Sequence, residues 1–156
     1  MPTPTYTPLA TVTLGTNAAT VTFSSIPATY RDLVVVAHCN TGTNVDAFLY
    51  FNGDTAANYS FVSMAGDGSS ATSVASSLAN WGFIGTTRGN LISHIMDYSA
   101  TDKHKTTLTR NNFSANTVRA FARRWANTAA ITSVQLNANT QSWQTGSTFA
   151  LYGIAS

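Results

Sequence analysis

The chain has 156 residues, of which 44% are hydrophobic and only 9% charged, and its net charge is +2. An ordinary globular chain carries about 25% charged residues, so the polar surface must here be Thr, Ser, Asn and Gln; all six acids are Asp, and the only lysines are Lys103 and Lys105. These features exclude a disordered chain, which would be less hydrophobic and more charged, argue against helices with Glu- and Lys-filled exposed faces, and leave no basic footprint for nucleic acid.

Residues 1–8 hold Pro2, Pro4 and Pro8. Proline fixes φ and removes a backbone donor, which predicts an extended N-terminal arm, followed by a single domain over residues 9–156. The arm has neither the basic region nor the apolar core of a secretory leader, and no apolar run in the chain reaches membrane-spanning length. With one cysteine, Cys39, and so no internal disulfide, synthesis in a reducing cytoplasm with no membrane partner is expected.

A period of two dominates from there on. Ala10 to Leu14 and Ala19 to Ser25 alternate on either side of a turn at Gly15 and predict a hairpin. Asp32 to Cys39 contains the unbroken apolar run Leu33 to Val36 and predicts a central strand covered on both faces. Ala47 to Phe51 reads as a short strand, stopped by Asn52 and Gly53, a strong turn pair. Asn58 to Met64 follows as a strand. Residues 65–80 read as a surface loop, with a short helical turn over Val74 to Leu78. Further strands are expected at Trp81 to Ile84, Asn90 to Tyr98, residues 104–112, residues 117–125, Ile131 to Leu136 and Phe149 to Ile154. About nine or ten short strands without long helices predict an all-β, antiparallel β-sandwich, jelly-roll-like in plan.

Catalytic and metal chemistry finds little support. His38 and Cys39 are adjacent, so on one strand they point to opposite faces, and no Cys-x-x-Cys or His-x-His occurs. Asp97 and Asp102 lie near His94 and His104, but Asp102 beside Lys103 is most simply a solvated turn. No Gly-x-Ser-x-Gly and no phosphate loop is present, so neither an enzyme nor a bound cofactor or metal is expected. The cluster Arg119, Arg123, Arg124 and Trp125 stands out. On a strand, Arg119, Phe121, Arg123 and Trp125 share a face, which fits an interface or glycan platform and equally an edge strand whose charges block aggregation. A neutral, Thr- and Asn-rich surface also suits a protein held in a permanent assembly.

Four segments carry a resemblance: Phe23 to Val36 (FSSIPATYRDLVVV), Phe51 to Ser60 (FNGDTAANYS), Trp125 to Ser133 (WANTAAITS) and Gly146 to Ile154 (GSTFALYGI). They are similar, in the same order, to segments of small virion structural proteins of tailed bacteriophages. That resemblance implies a jelly-roll-like module on the capsid exterior, of the head decoration or cement type. It implies a homotrimer bound to the major capsid protein, with Pro2, Pro4, Tyr6 and Pro8 of the arm lying across neighbouring capsid subunits. It transfers no catalytic residue. The alternative within the same family is a tail-fibre or spike tip, in which Trp81, Trp125 or Trp143 would stack on the sugar rings of a host glycan.

Overall fold

The computed structural model describes residues 4–113 and 117–155. Among these the chain forms twelve strands and no helix: β1 (Tyr6–Thr13), β2 (Thr20–Phe23), β3 (Asp32–Cys39), β4 (Val45–Phe51), β5 (Tyr59–Gly66), β6 (Ala71–Ser76), β7 (Asn80–Ile84), β8 (Gly89–Met96), β9 (Lys105–Phe113), β10 (Thr117–Trp125), β11 (Val134–Asn137) and β12 (Thr148–Ile154). They pair into an eight-stranded sheet, in the order β1-β12-β3-β8-β9-β10-β5-β6, and a four-stranded sheet, in the order β2-β11-β4-β7. Every pairing is antiparallel. The predicted all-β antiparallel sandwich is therefore present.

The core is the seam between the two sheets, built by alternation. In β3, Leu33, Val35, Ala37 and Cys39 point inward and are essentially unexposed. In β4, Val45, Ala47, Leu49 and Phe51 do the same from the small sheet, with the residues between them half-buried. Burial pushes the Cys39 thiol up to about 12, so it stays protonated and inert. Trp143 lies outside any strand but is fully buried, and it bridges by backbone to both Ala18 and Thr41. Its ring meets Phe149 edge-on at 5.2 Å and Trp81 at 6.4 Å.

Several expectations need correction. The first two strands do not form a hairpin: β1 belongs to the large sheet and β2 to the small one. Residues 65–80 are not a loop with a helical turn. Strand β5 runs on to Gly66, Asp67 accepts hydrogen bonds from the N–H groups of Ser69 and Ser70 in a tight turn, and β6 returns along β5. The strand expected from Ile131 begins at Val134, because Ile131 pairs singly with the Tyr98 carbonyl. Strand β3 is central, but only its inner face lies under the small sheet; on its outer face Val36 is half-buried and His38 exposed. The expected arm does not run to Pro8: β1 begins at Tyr6, so Tyr6 to Pro8 are rungs opposite Ile154 to Tyr152.

One glycine is required by close packing. A Cβ on Gly153 would sit 2.4 Å from the Tyr30 ring, which lies flat on the strand there. Gly153→Ala should cost about 1–3 kcal/mol through overpacking, read as a lower midpoint in urea denaturation with an unchanged slope.

Candidate interaction surface

The inward face of the large sheet meets the small sheet, and among the described residues no layer covers the outer face of its eight strands. That face alternates out of register with the core. It carries Tyr6, Val62, Met64, Met96, Leu108 and Val118, each 48–65% exposed. The cross-strand registers set Val62 beside Ala122, Ala122 beside Leu108, and Leu108 beside His94, so these side chains form one continuous field. Eight large hydrophobic residues of the described chain are exposed, and six of them lie here. Scattered exposed apolar residues are ordinary; a contiguous apolar patch marks a binding surface.

Two of the concavities on the face meet at its apolar centre. One, of about 780 Å³, is lined by Val62, Met96, Leu108, Ala122 and Arg124. The other, of about 440 Å³, is lined by Tyr6, Val34, Ile92, His94, Arg110 and Ile154. They share Leu108.

Among the described residues, the one carboxylate on this face is already engaged. Asp32 is 5% exposed and accepts hydrogen bonds from the Asp97 N–H at 2.9 Å and from Arg31 Nε at 3.0 Å. His94 Nε2 lies 3.0 Å from the same carboxylate. Burial pushes the Asp32 carboxyl up, but these hydrogen bonds and the Arg31 charge outweigh it and hold the group below its ordinary value of 3.8. A carboxylate with a depressed folded pKa contributes stability above its unfolded value, and that contribution disappears as the pH falls through the folded one. Chemical denaturation between neutral pH and pH 2 should therefore show an acid-side loss of stability that is smaller in Asp32→Asn than in the natural chain.

The residues singled out from sequence lie in three places. Pro2 falls outside the described residues. Pro4 and Pro8 are exposed, and Tyr6 and Pro8 lie on the outer face at the β1 edge. Arg119, Arg123 and Trp125 do share a face, but it is the inward one, and Arg123 and Trp125 are 3% and 1% exposed. Nor is β10 an edge strand, since it pairs with β9 on one side and β5 on the other. Trp125 Nε1 donates to Asp54 at 2.7 Å, and its ring stacks on Tyr59. Arg123 donates to the Leu49 carbonyl at 2.7 Å and lies over the rings of Phe51 and Tyr59. Burial pulls its guanidinium down to about 10, which leaves it charged at neutral pH. Arg119 lies over the Phe83 ring.

The three tryptophans offered for sugar stacking, Trp81, Trp125 and Trp143, are all at most 1% exposed. Among the described residues, no three His, Cys or Asp side chains converge as a metal site. Lys103 reaches Asp97 at 3.5 Å and Asp102 at 3.8 Å in a solvated loop, as expected for that turn. The outer face itself escaped the sequence reading. Its members alternate correctly within each strand, but only the strand order shows that they are neighbours. No protein-family model matches this chain, and no curated protein matches it.

Proposed function

We propose that this protein is a virion structural protein of tailed-phage type, a decoration (cement) protein bound to the outside of the head. The observation that carries the reading is the concentration of exposed apolar side chains on one uncovered sheet face. Such a face is built to bind a surface, and it accompanies a charge-poor exterior suited to permanent neighbours. The strand order supports a jelly-roll plan: without the hairpins β5–β6 and β9–β10, the sheets read β1-β12-β3-β8 and β2-β11-β4-β7, with early and late strands interleaved in both.

In this reading the protein acts by binding and not by catalysis. Its partners are the major capsid protein and further copies of itself, as a homotrimer, with neither nucleic acid nor membrane involved. A protein that binds the assembled lattice and not free subunits shifts the equilibrium toward the closed shell by mass action. The tip reading loses its stacking platform, because the tryptophans that would have formed it are in the core.

The test is electron microscopy of intact particles labelled with an antibody fragment against this chain. Label across the whole head is expected; label confined to the tail would overturn the assignment. An arm-deletion experiment should stop before Tyr6, because removing residues 1–8 would also strip three rungs from β1.

A further inference from the structure

We propose that the free edge of β6 is a strand-addition site, where an extended, uncharged segment of the major capsid protein pairs as a ninth strand of the large sheet. The inference deepens the reading above and rests on it for the identity of the partner; the open edge itself follows from strand order and composition.

A strand edge offers a row of unpaired N–H and C=O groups, and stable proteins blunt it with charge, proline, a bulge, shortness or a cover. Three of the four sheet edges here are managed in those ways. Strand β1 carries Pro8 and a register shift between Pro8 and Ala10. Strand β2 has only four residues. Strand β7 lies against β9, where Asn111 Nδ2 donates to the Phe83 carbonyl at 2.9 Å, and its register with β4 is broken.

Strand β6 has none of these devices. Its six residues, Ala71 to Ser76, include no charge, no proline and no glycine. Their register with β5 is unbroken, and five of the six are exposed. Among the described residues no loop or side chain hydrogen-bonds to its outer side.

Both sides of this edge have room for the side chains of an added strand. The β5 register puts Ala75 beside Val62 and Ser73 beside Met64 on the outer face. These small residues form a step at the margin of the apolar field, and the concavity of about 780 Å³ reaches it at Ala75 and Ser76. Larger side chains of an added strand would lie across that step. On the opposite side Val74, beside Ser63, is an exposed apolar residue that does not belong to the outer face. A β-branched or aromatic residue in the other row of the added strand would cover it.

Size decides the occupant. Six residues at about 3.4 Å of rise, in a sheet about 10 Å thick, make an edge of roughly 200 Å². A stable interface takes roughly 800 Å² from each partner, so a second copy pairing edge to edge through β6 would be held by too little. A segment tethered to a protein already seated on the adjoining outer face is placed differently. Its second contact is intramolecular, and the high effective concentration makes a small contact sufficient. Main-chain hydrogen bonds then supply affinity, and the alternating side chains supply specificity.

The experiment binds the purified full chain to heads assembled without it and compares hydrogen exchange of the β6 peptide in the free and the bound chain. In an antiparallel strand about half of the amides point to each neighbour. The outward half should exchange fast in the free chain and become protected on the head. Val74→Lys is a second probe. The position is exposed and lies on the side away from the outer face, so lysine should block strand addition and leave that face unchanged. Circular dichroism and a thermal melt verify its fold, and head binding should weaken about tenfold or more. Amides of β6 that exchange equally fast on the head, or a Val74→Lys chain that binds like the natural one, would overturn the proposal and leave the decoration reading standing. A chain that dimerises in solution with β6 protected would assign the edge to a second copy and overturn it as well. A natural chain that does not bind heads at all would remove both claims.

Discussion

Trp143→Ala should lower the stability of this protein by about 3–5 kcal/mol, the range for removing a large aromatic side chain from a close-packed core. Trp143 is fully buried, although it lies outside every strand. Its indole touches Phe149 of the large sheet and Trp81 of the small one, and its Nε1 donates to the Leu136 carbonyl. Its backbone exchanges hydrogen bonds with Ala18 in both directions. The residue therefore joins both sheets and two connecting segments at one point. The cavity left by alanine would be bounded by strands that cannot close on it without breaking their ladders. Urea denaturation followed by fluorescence and circular dichroism checks the prediction; a loss below 1 kcal/mol would show that the connecting segments collapse into the space.

Arg123→Ala should cost about 3 kcal/mol or more, whereas Arg123→Met should cost much less. The arginine is buried, with no ion pair to a carboxylate among the described residues. It earns its place by reaching the Leu49 carbonyl and, at 3.5 Å, the Ala79 carbonyl, where the β4–β7 register shifts between Ala47 and Phe48. A charge-assisted hydrogen bond of this kind contributes about 1.5–3 kcal/mol. Alanine removes that donor and leaves a gap beneath Phe51 and Tyr59. Methionine loses the donor but keeps the volume and also removes a desolvated charge, and replacing buried ions by apolar side chains of similar size is often close to neutral. Equal losses in the two variants would mean that the hydrogen bonds dominate over the packing.

These residues also show where sequence reasoning stops. The alternation in β10 is plain, and Arg119, Phe121, Arg123 and Trp125 do share a face. Alternation assigns residues to faces but does not say which face is inside. Two arginines argue for water, while Phe121 and Trp125 argue for the core, and the aromatics win because Phe51 and Tyr59 offer ring faces that can hold a cation. Strands β4 and β12 were legible because buried apolar residues alternate along them, with Leu49 and Phe51 in one and Phe149 and Leu151 in the other. Strand β6 was not. Its six residues are small and neutral and are exposed on almost every side, so no period marks them; their strand geometry comes from pairing with β5. The candidate surface was invisible for another reason. Val62 and Leu108 are far apart along the chain, and only the order β9-β10-β5 sets them on either side of Ala122.

The placement of the latest strands has a consequence for how the protein is made. Strand β12 lies between β1 and β3, and β11 lies between β2 and β4. Neither sheet can zip outward from its earliest strands, because the slot between them waits for residues 134–137 in one case and 148–154 in the other. While the ribosome is still translating, β1 and β2 have no ladder neighbour, whereas β3 can already pair with β8 and β4 with β7, and the unpaired strands must be tolerated or shielded. Native structure then depends on joining the two extremes of the chain, a slow search that places folding on the scale of roughly milliseconds to seconds. Nascent chains stalled before residue 134 should thus remain protease-sensitive at β1 and β2, whose partner strands are not yet made.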